Sequence, residues 1–279
     1  MTSQDLYRIR DFVQDFDAIA AEFATRSRAV SARANVLADL RYGARPREVL
    51  DVILPERPKT GAPLHVFVHG GYWRSGEKEN YRFVAAPVLA AGGVAALVEY
   101  DLMPGERLDV LVGQVRRSVL WLQEHALDFG AKPDRMTVSG HSAGAHLASF
   151  LASIGPAETN VPLLPELKGL LLLSGIYDLS GIPDSFLRDE AEMTEGEAEA
   201  WSPLGATQLD CPMRIIAVGS NETAPFHAQA TDMQTMLERM GQDAGILNVP
   251  DRNHMSVVLD LGNPDSALGG RLARMVSES

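Results

Sequence analysis

Apolar residues in this chain come in two rhythms. Short unbroken runs at residues 64–68 (LHVFV), 94–99 (VAALVE), 167–174 (LKGLLLLS) and 213–218 (MRIIAV) have the length and composition of strands covered on both faces. Between them, residues 80–91, 108–129, 225–240 and 266–276 carry apolar positions at helical spacing, and residues 135–139 and 244–249 add two further strands. Ahead of these, residues 15–38 predict an N-terminal helix through Phe16, Ile19, Ala20 and Phe23. Residues 49–54 (VLDVIL) form a strand closed by Pro55, with a turn through Pro58, Lys59, Gly61 and Pro63. That strand and residues 64–68 are expected to pair as an antiparallel edge. Residues 180–203 are acidic and irregular, with Phe186, Leu187, Met193 and Trp201 scattered among them, and are expected to form a lid of short helices. Strands alternating with helices predict an α/β fold, a mostly parallel, doubly wound sheet with helices on both faces, in one domain spanning residues 1–279.

In such sheets functional groups gather beyond the carboxyl ends of the strands. The chain places there His69-Gly70-Gly71-Tyr72-Trp73, then Gly140-His141-Ser142-Ala143-Gly144, then Asp178, Glu222 and His254. The G-x-S-x-G stretch joins a strand directly to a helix, so it predicts a nucleophile elbow, with Ser142 raised above the sheet and Gly140 and Gly144 allowing close backbone approach. A serine hydroxyl needs a base and a group to orient that base. His254, beyond the last strand, is the expected base. Glu222 is the expected acid, with Asp178 as the alternative and Asp251 too close to His254 in sequence. The order serine, acid, histidine is that of the α/β-hydrolases. Backbone N–H groups of Gly71, Tyr72 and Ala143 are expected to form an oxyanion hole, and Tyr72 and Trp73 to wall an aromatic slot. His65 lies inside a strand, and His69, His141 and His146, beside backbone features and in the elbow helix, are expected to be structural hydrogen-bonders; the four come from strands and an elbow without metal-ligand spacing, so no metal is expected, and no cofactor.

Lys+Arg 25 against Asp+Glu 37 leaves a net charge of −12 without a basic stripe, which opposes nucleic acid and anionic membranes as partners. No apolar run approaches a membrane span and no signal-peptide block opens the chain. The single cysteine, Cys211, is expected to be a small buried hydrophobe, and the compartment cytoplasmic. The expected partner is a small-molecule substrate, with a homodimer left open.

With these residues in place, the sequence resembles the kynurenine formamidase (arylformamidase) group of the α/β-hydrolases and its bacterial esterase relatives. The motifs that carry the resemblance are H-G-G-Y-W from His69, G-H-S-A-G-A-H-L-A from Gly140, S-G-I-Y-D-L from Ser174, S-P-L from Ser202, Glu222 four residues before Phe226, Asn253-His254, and R-Y-G-A-R-P-R-E-V-L-D-V from Arg41. The resemblance implies Ser142 as nucleophile, Glu222 at an acid position where relatives often have aspartate, and His254 as base. It departs from the group at Met255-Ser256, where Phe-Asp is frequent. The implied reaction is removal of an N-formyl group from an aromatic amine bearing an amino-acid tail. A carboxylesterase acting on short-acyl or aryl esters is the alternative, and a catalytically silent hydrolase-fold binding protein is the reading from another class.

Overall fold

The computed structural model describes residues 4–57, 59–210, 212–242 and 244–279. The expectations for Cys211 and for Pro58 fall outside them. In chain order the first half runs α1 (Phe16–Ser31), β1 (Asn35–Arg41), β2 (Val49–Leu54), β3 (Ala62–Val68), a 3-10 turn (Lys78–Val84), α2 (Ala85–Ala90), β4 (Val94–Val98), α3 (Leu108–Glu124), β5 (Ala131–His141) and α4 (Ala143–Ser149). The second half runs β6 (Ser153–Ile154), β7 (Gly169–Leu173), α5 (Arg188–Ala191), α6 (Glu195–Ala200), β8 (Thr207–Gln208), β9 (Met213–Gly219), α7 (Ala224–Arg239), β10 (Ile246–Val249), α8 (Ser256–Leu261) and α9 (Ala267–Glu278). The main sheet has eight strands in the order β1-β2-β4-β3-β5-β7-β9-β10, while β6 and β8 form a separate small ribbon. From β4 through β10 every pairing in this sheet is parallel. The central strands are buried along their length, which accounts for their unbroken apolar runs.

Two local expectations are corrected. The N-terminal helix stops at Ser31, and residues 35–38, read as helix, begin β1. Alanine and leucine suit a helix, but pairing with β2 (Val36 opposite Ile53, Leu37 opposite Val52) gives this segment a backbone ladder, and the tertiary partner overrides propensity. The expected antiparallel pairing of residues 49–54 with 64–68 does not form. β4 lies between them, antiparallel to β2 (Leu50 opposite Val98) and parallel to β3 (Leu64 opposite Val94), so the antiparallel edge is β1–β2. Among the described residues no helix is long and apolar enough to cross a membrane.

The register of the central strands positions the site. Val68 lies opposite Gly140, His141 opposite Leu173, Leu173 opposite Ala217, and Gly219 opposite Val249. The loops that follow these strands therefore open along one rim. At its centre, a Cβ on Gly144 would collide with the carbonyl oxygens of Val68 and His69, and one on Gly140 with the carbonyl of Gly144. Helix and strand touch there through bare backbone. Gly144→Ala is expected to lower the unfolding free energy by about 1–3 kcal/mol, the range for overpacked cores, as read from the midpoint of urea denaturation followed by circular dichroism.

Candidate active site

Ser142 sits between β5 and α4 at φ 55° and ψ −122°, a backbone conformation that a non-glycine residue holds only when its surroundings force it. Its N–H is tied to the carbonyl of Leu173 at 2.9 Å, and its carbonyl accepts the N–H groups of Ala145 and His146 as α4 begins. The side chain is thereby held on the rim, with the residue only 2% exposed.

His254 and Glu222 arrive from the two loops next along the rim. His254 Nδ1 lies 2.6 Å from Glu222 Oε2. The other carboxylate oxygen accepts the Ser174 hydroxyl at 2.5 Å and the Gly219 N–H at 2.7 Å. Those donors hold the carboxylate against the imidazole. The loops themselves are stitched together: Ser220 N–H donates to Val249 O, and Asn221 N–H to Arg252 O, each at 2.9 Å. Asn253 turns the chain into α8 by accepting the N–H groups of Met255 and Ser256 on its side-chain oxygen. The His254 ring packs on Phe226, centroids 4.1 Å apart, and its carbonyl accepts His141 Nε2 at 2.9 Å. Asp178, the alternative acid, is exposed and caps its own turn by accepting Ser180 N–H, and Asp251 is exposed on the loop; the carboxylate at the imidazole is Glu222.

The loop after β3 approaches Ser142 from the other side. Gly71, at φ 125°, leaves no room for a side chain against the Ser75 carbonyl, and Tyr72 and Trp73 follow at φ 52° and 60°. The N–H groups of Tyr72 and Ala143 have no hydrogen-bond acceptor among the described residues. Tyr72, Gly71, Ser142 and His254 all line one cavity of about 450 Å³.

Comparison with known proteins places this arrangement. Residues 50–210 match the BD-FAE family. The chain is 34% identical over 254 residues to a kynurenine formamidase of Salmo salar, covering 88% of this chain and 84% of that protein. A kynurenine formamidase of Danio rerio is 33% identical over 261 residues, covering 91% and 85%. The chain belongs to the kynurenine formamidase family. A solved structure from Silicibacter sp. tm1040, 24% identical, superposes with a TM-score of 0.82 over 97% of this chain and 98% of that one, and shares its α/β-hydrolase fold. This member of the formamidase family is accordingly a hydrolase.

One expected site residue of this formamidase-family chain stands elsewhere. Trp73 is fully buried and absent from the cavity wall; its indole N–H donates to His146 Nδ1 at 3.0 Å, and His146 Nε2 bonds the Trp201 carbonyl at 2.8 Å. Side chains at 72 and 73 leave the backbone in different directions, and the buried indole finds its hydrogen-bond partner in His146. The aromatic wall consists instead of Tyr72, Phe16, Tyr81 and Phe186, the last packed edge-on against Tyr72 at 5.2 Å. Phe186 and Glu190 come from the expected lid.

His65, His69 and His146 form hydrogen bonds in the interior, whereas His141 lines the cavity of Ser142. His65 bridges the hydroxyls of Thr137 and Ser139 at 2.8 and 2.7 Å, and burial pushes it down to about 3, so the ring stays neutral. His69 lies between Gly70 O and Glu99 Oε1, both at 2.8 Å, stacked on Tyr100, whose hydroxyl donates to His69 O. The carboxylates of Asp39, Asp51 and Glu79 converge, and the Lys78 ammonium sits among them.

The sequence reading missed the segment ahead of α1. Tyr72 hydroxyl donates to Tyr7 O, Thr223 hydroxyl to Leu6 O at 2.8 Å, Phe186 N–H to the Asp5 carboxylate, and Gln229 amide to the Tyr7 hydroxyl at 3.0 Å. This segment thus fastens the loop after β3, residues 180–203 and the start of α7 together. No periodicity marks it, because its contacts are hydrogen bonds to residues far away in sequence; Tyr7, the one large aromatic ahead of Phe12, was its only signal.

Glu99 anchors the loop after β3 through His69. Burial opposes its charge, but hydrogen bonds from His69, together with the nearby charge of Arg47 and the Lys78 N–H, hold its carboxyl below the ordinary 4.5. A depressed carboxyl contributes stability that is complete above the ordinary value and lost as pH falls through the folded-state value. Glu99→Gln is therefore expected to be less stable near neutrality and to show a shallower fall of unfolding free energy below about pH 4.5, by up to one proton's slope, in urea titrations at stepped pH.

Proposed function

We propose that this protein is a serine hydrolase that removes the formyl group from an aryl formamide such as N-formylkynurenine. The observation that carries the reading is the Glu222–His254 pair at 2.6 Å, whose histidine lines the cavity that also holds Ser142, Gly71 and Tyr72. The chemistry follows from the placement of each group. His254, oriented by Glu222 through Nδ1, presents Nε2 as the base that takes the Ser142 proton while Oγ attacks the formyl carbon. Negative charge developing on the carbonyl oxygen meets the N–H groups of Tyr72 and Ala143, with Gly71 giving the loop its close approach. His254 then returns the proton to the departing arylamine nitrogen, and the C–N bond breaks to leave a formyl ester on Ser142. Water, deprotonated by His254, attacks that ester, and formate leaves as the Ser142 hydroxyl is restored. Glu222, held against Nδ1, stabilises the transient imidazolium.

The family supports the formamide, since the relatives with a third of their residues in common carry that activity in their names. The aromatic lining supports an aryl leaving group, with Tyr72, Tyr81 and Phe186 as flat apolar surfaces. A small-molecule substrate and a cytoplasmic setting belong to the same reading, supported by the acidic balance and single cysteine.

Ser142→Ala is expected to lower kcat on the order of 10⁶-fold, as loss of the nucleophile does in other serine hydrolases, with an unchanged circular dichroism spectrum. Comparable turnover of p-nitrophenyl acetate by that variant would reject the mechanism. For the substrate, kcat/KM on N-formylkynurenine is expected to match or exceed that on p-nitrophenyl acetate. A preference for the ester by several decades assigns the protein to the carboxylesterases instead.

A further inference from the structure

Three arginines, Arg8, Arg10 and Arg74, reach the wall of the Ser142 cavity. Two are committed. Arg10 pairs with Asp17 at 3.0 Å and lies over Phe16, and Arg74 pairs with Glu190 at 2.5 Å. The Arg8 guanidinium lies over the Phe186 ring, 4.8 Å from its centroid, with no carboxylate partner among the described residues. Asp11 also lines the cavity, and among the described residues its carboxylate has no cationic partner. The two belong to one 3-10 turn (Ile9–Asp11, with Arg8 as its cap) closed by the Asp11 N–H to Arg8 O bond at 2.9 Å. One short turn thus brings a cation and an anion, neither paired with an opposite charge among the described residues, to the wall of the same cavity.

We propose that Arg8 and Asp11 read the charged tail of the substrate, Arg8 taking an α-carboxylate and Asp11 the neighbouring α-ammonium, so that this turn selects zwitterionic aryl amino acids over neutral aryl compounds. This rests on the formamidase reading and extends it from the reacting bond to the far end of the leaving group. A zwitterion presents opposite charges one carbon apart, and a lone cationic or lone anionic subsite would repel one of them. Arg8 is suited to the carboxylate because a guanidinium donates two parallel hydrogen bonds to it. Stacking on Phe186 keeps the guanidinium plane against the same ring that walls the aryl slot, so tail and ring are gripped by one continuous surface. The segment is itself held to the machinery: Tyr7, next to Arg8, receives the Tyr72 hydroxyl and packs edge-on against Phe226 at 5.9 Å, and Phe226 carries the His254 ring. Arg8 and Asp11 are thus specificity residues placed at a set distance from the reacting serine.

The test uses the full chain and a matched pair of formamides: N-formylkynurenine, and ortho-formamidoacetophenone, which keeps the ring, ketone and formamide and lacks the charged tail. For Arg8→Gln the ratio of kcat/KM on the first to that on the second is expected to fall about 10- to 100-fold, as for a lost charge-assisted hydrogen bond. The change should lie mainly in KM. Arg8→Lys is expected to recover part of the ratio, and Asp11→Asn to lower it in the same sense. A ratio that stays within about twofold of wild type in both Arg8→Gln and Asp11→Asn, or an equal loss on both substrates through kcat, overturns the proposal while leaving the formamidase reading intact. A wild-type protein that cleaves p-nitrophenyl acetate but neither formamide overturns the formamidase reading, and this proposal with it.

Discussion

The helix α4 approaches the sheet so closely that backbone meets backbone, and that approach is the constraint from which the site follows. Gly144 lies against the carbonyls of Val68 and His69, and Gly140 against Gly144. With no side chains to separate them, the chain must reverse in a single residue, and that residue is Ser142, at φ 55°. Such a conformation costs of order 1–3 kcal/mol and persists because the Leu173 carbonyl and the first turn of α4 bind the residue on both sides. The position of Ser142 is therefore a property of the buried core and does not depend on a loop finding its place.

The rest of the site is supported from the opposite direction, by polar groups drawn from the loops. Glu222 is shared among His254, Ser174 and Gly219, so both oxygens are occupied and the carboxylate cannot swing away from the imidazole. Glu99 plays the matching part for the oxyanion loop: it holds His69, while Tyr100 holds the same residue's carbonyl. Fully partnered buried polar networks specify geometry in this way because any displacement leaves a desolvated group unpaired. Two carboxylates, Glu222 at His254 and Glu99 at His69, thus hold the loops that meet at the cavity of Ser142.

The segment from Asp5 to Phe16 adds a third kind of support. Its contacts reach the oxyanion loop, the lid and α7, and its side chains form part of the cavity. This wall is built by residues remote in sequence from the elbow. In the proposed reaction the elbow, base and acid act on the carbonyl carbon, whereas the mouth of the cavity meets whatever the leaving group carries.

The sequence by itself determined the buried strands, the elbow and the candidates for base and acid. Each of these is local: an apolar run of strand length, a glycine-flanked serine between strand and helix, polar residues directly after strands. Their burial or turn geometry selects residue types within a few positions, so the pattern is legible without a fold. What only the tertiary structure decided depends on partners far away in the chain. Residues 35–38 are strand because β2 offers them a ladder, and β3 is separated from β2 because β4 enters between them. Glu222 is distinguished from Asp178 by which carboxylate meets the ring of His254, and Trp73 turns inward because His146 waits there for its N–H. The N-terminal turn carries charges that any solvated segment has, and only its folding across the rim places Arg8 and Asp11 beside the cavity of Ser142. Such pairings are fixed by distance in space, which hydrophobic periodicity and local turn chemistry do not encode.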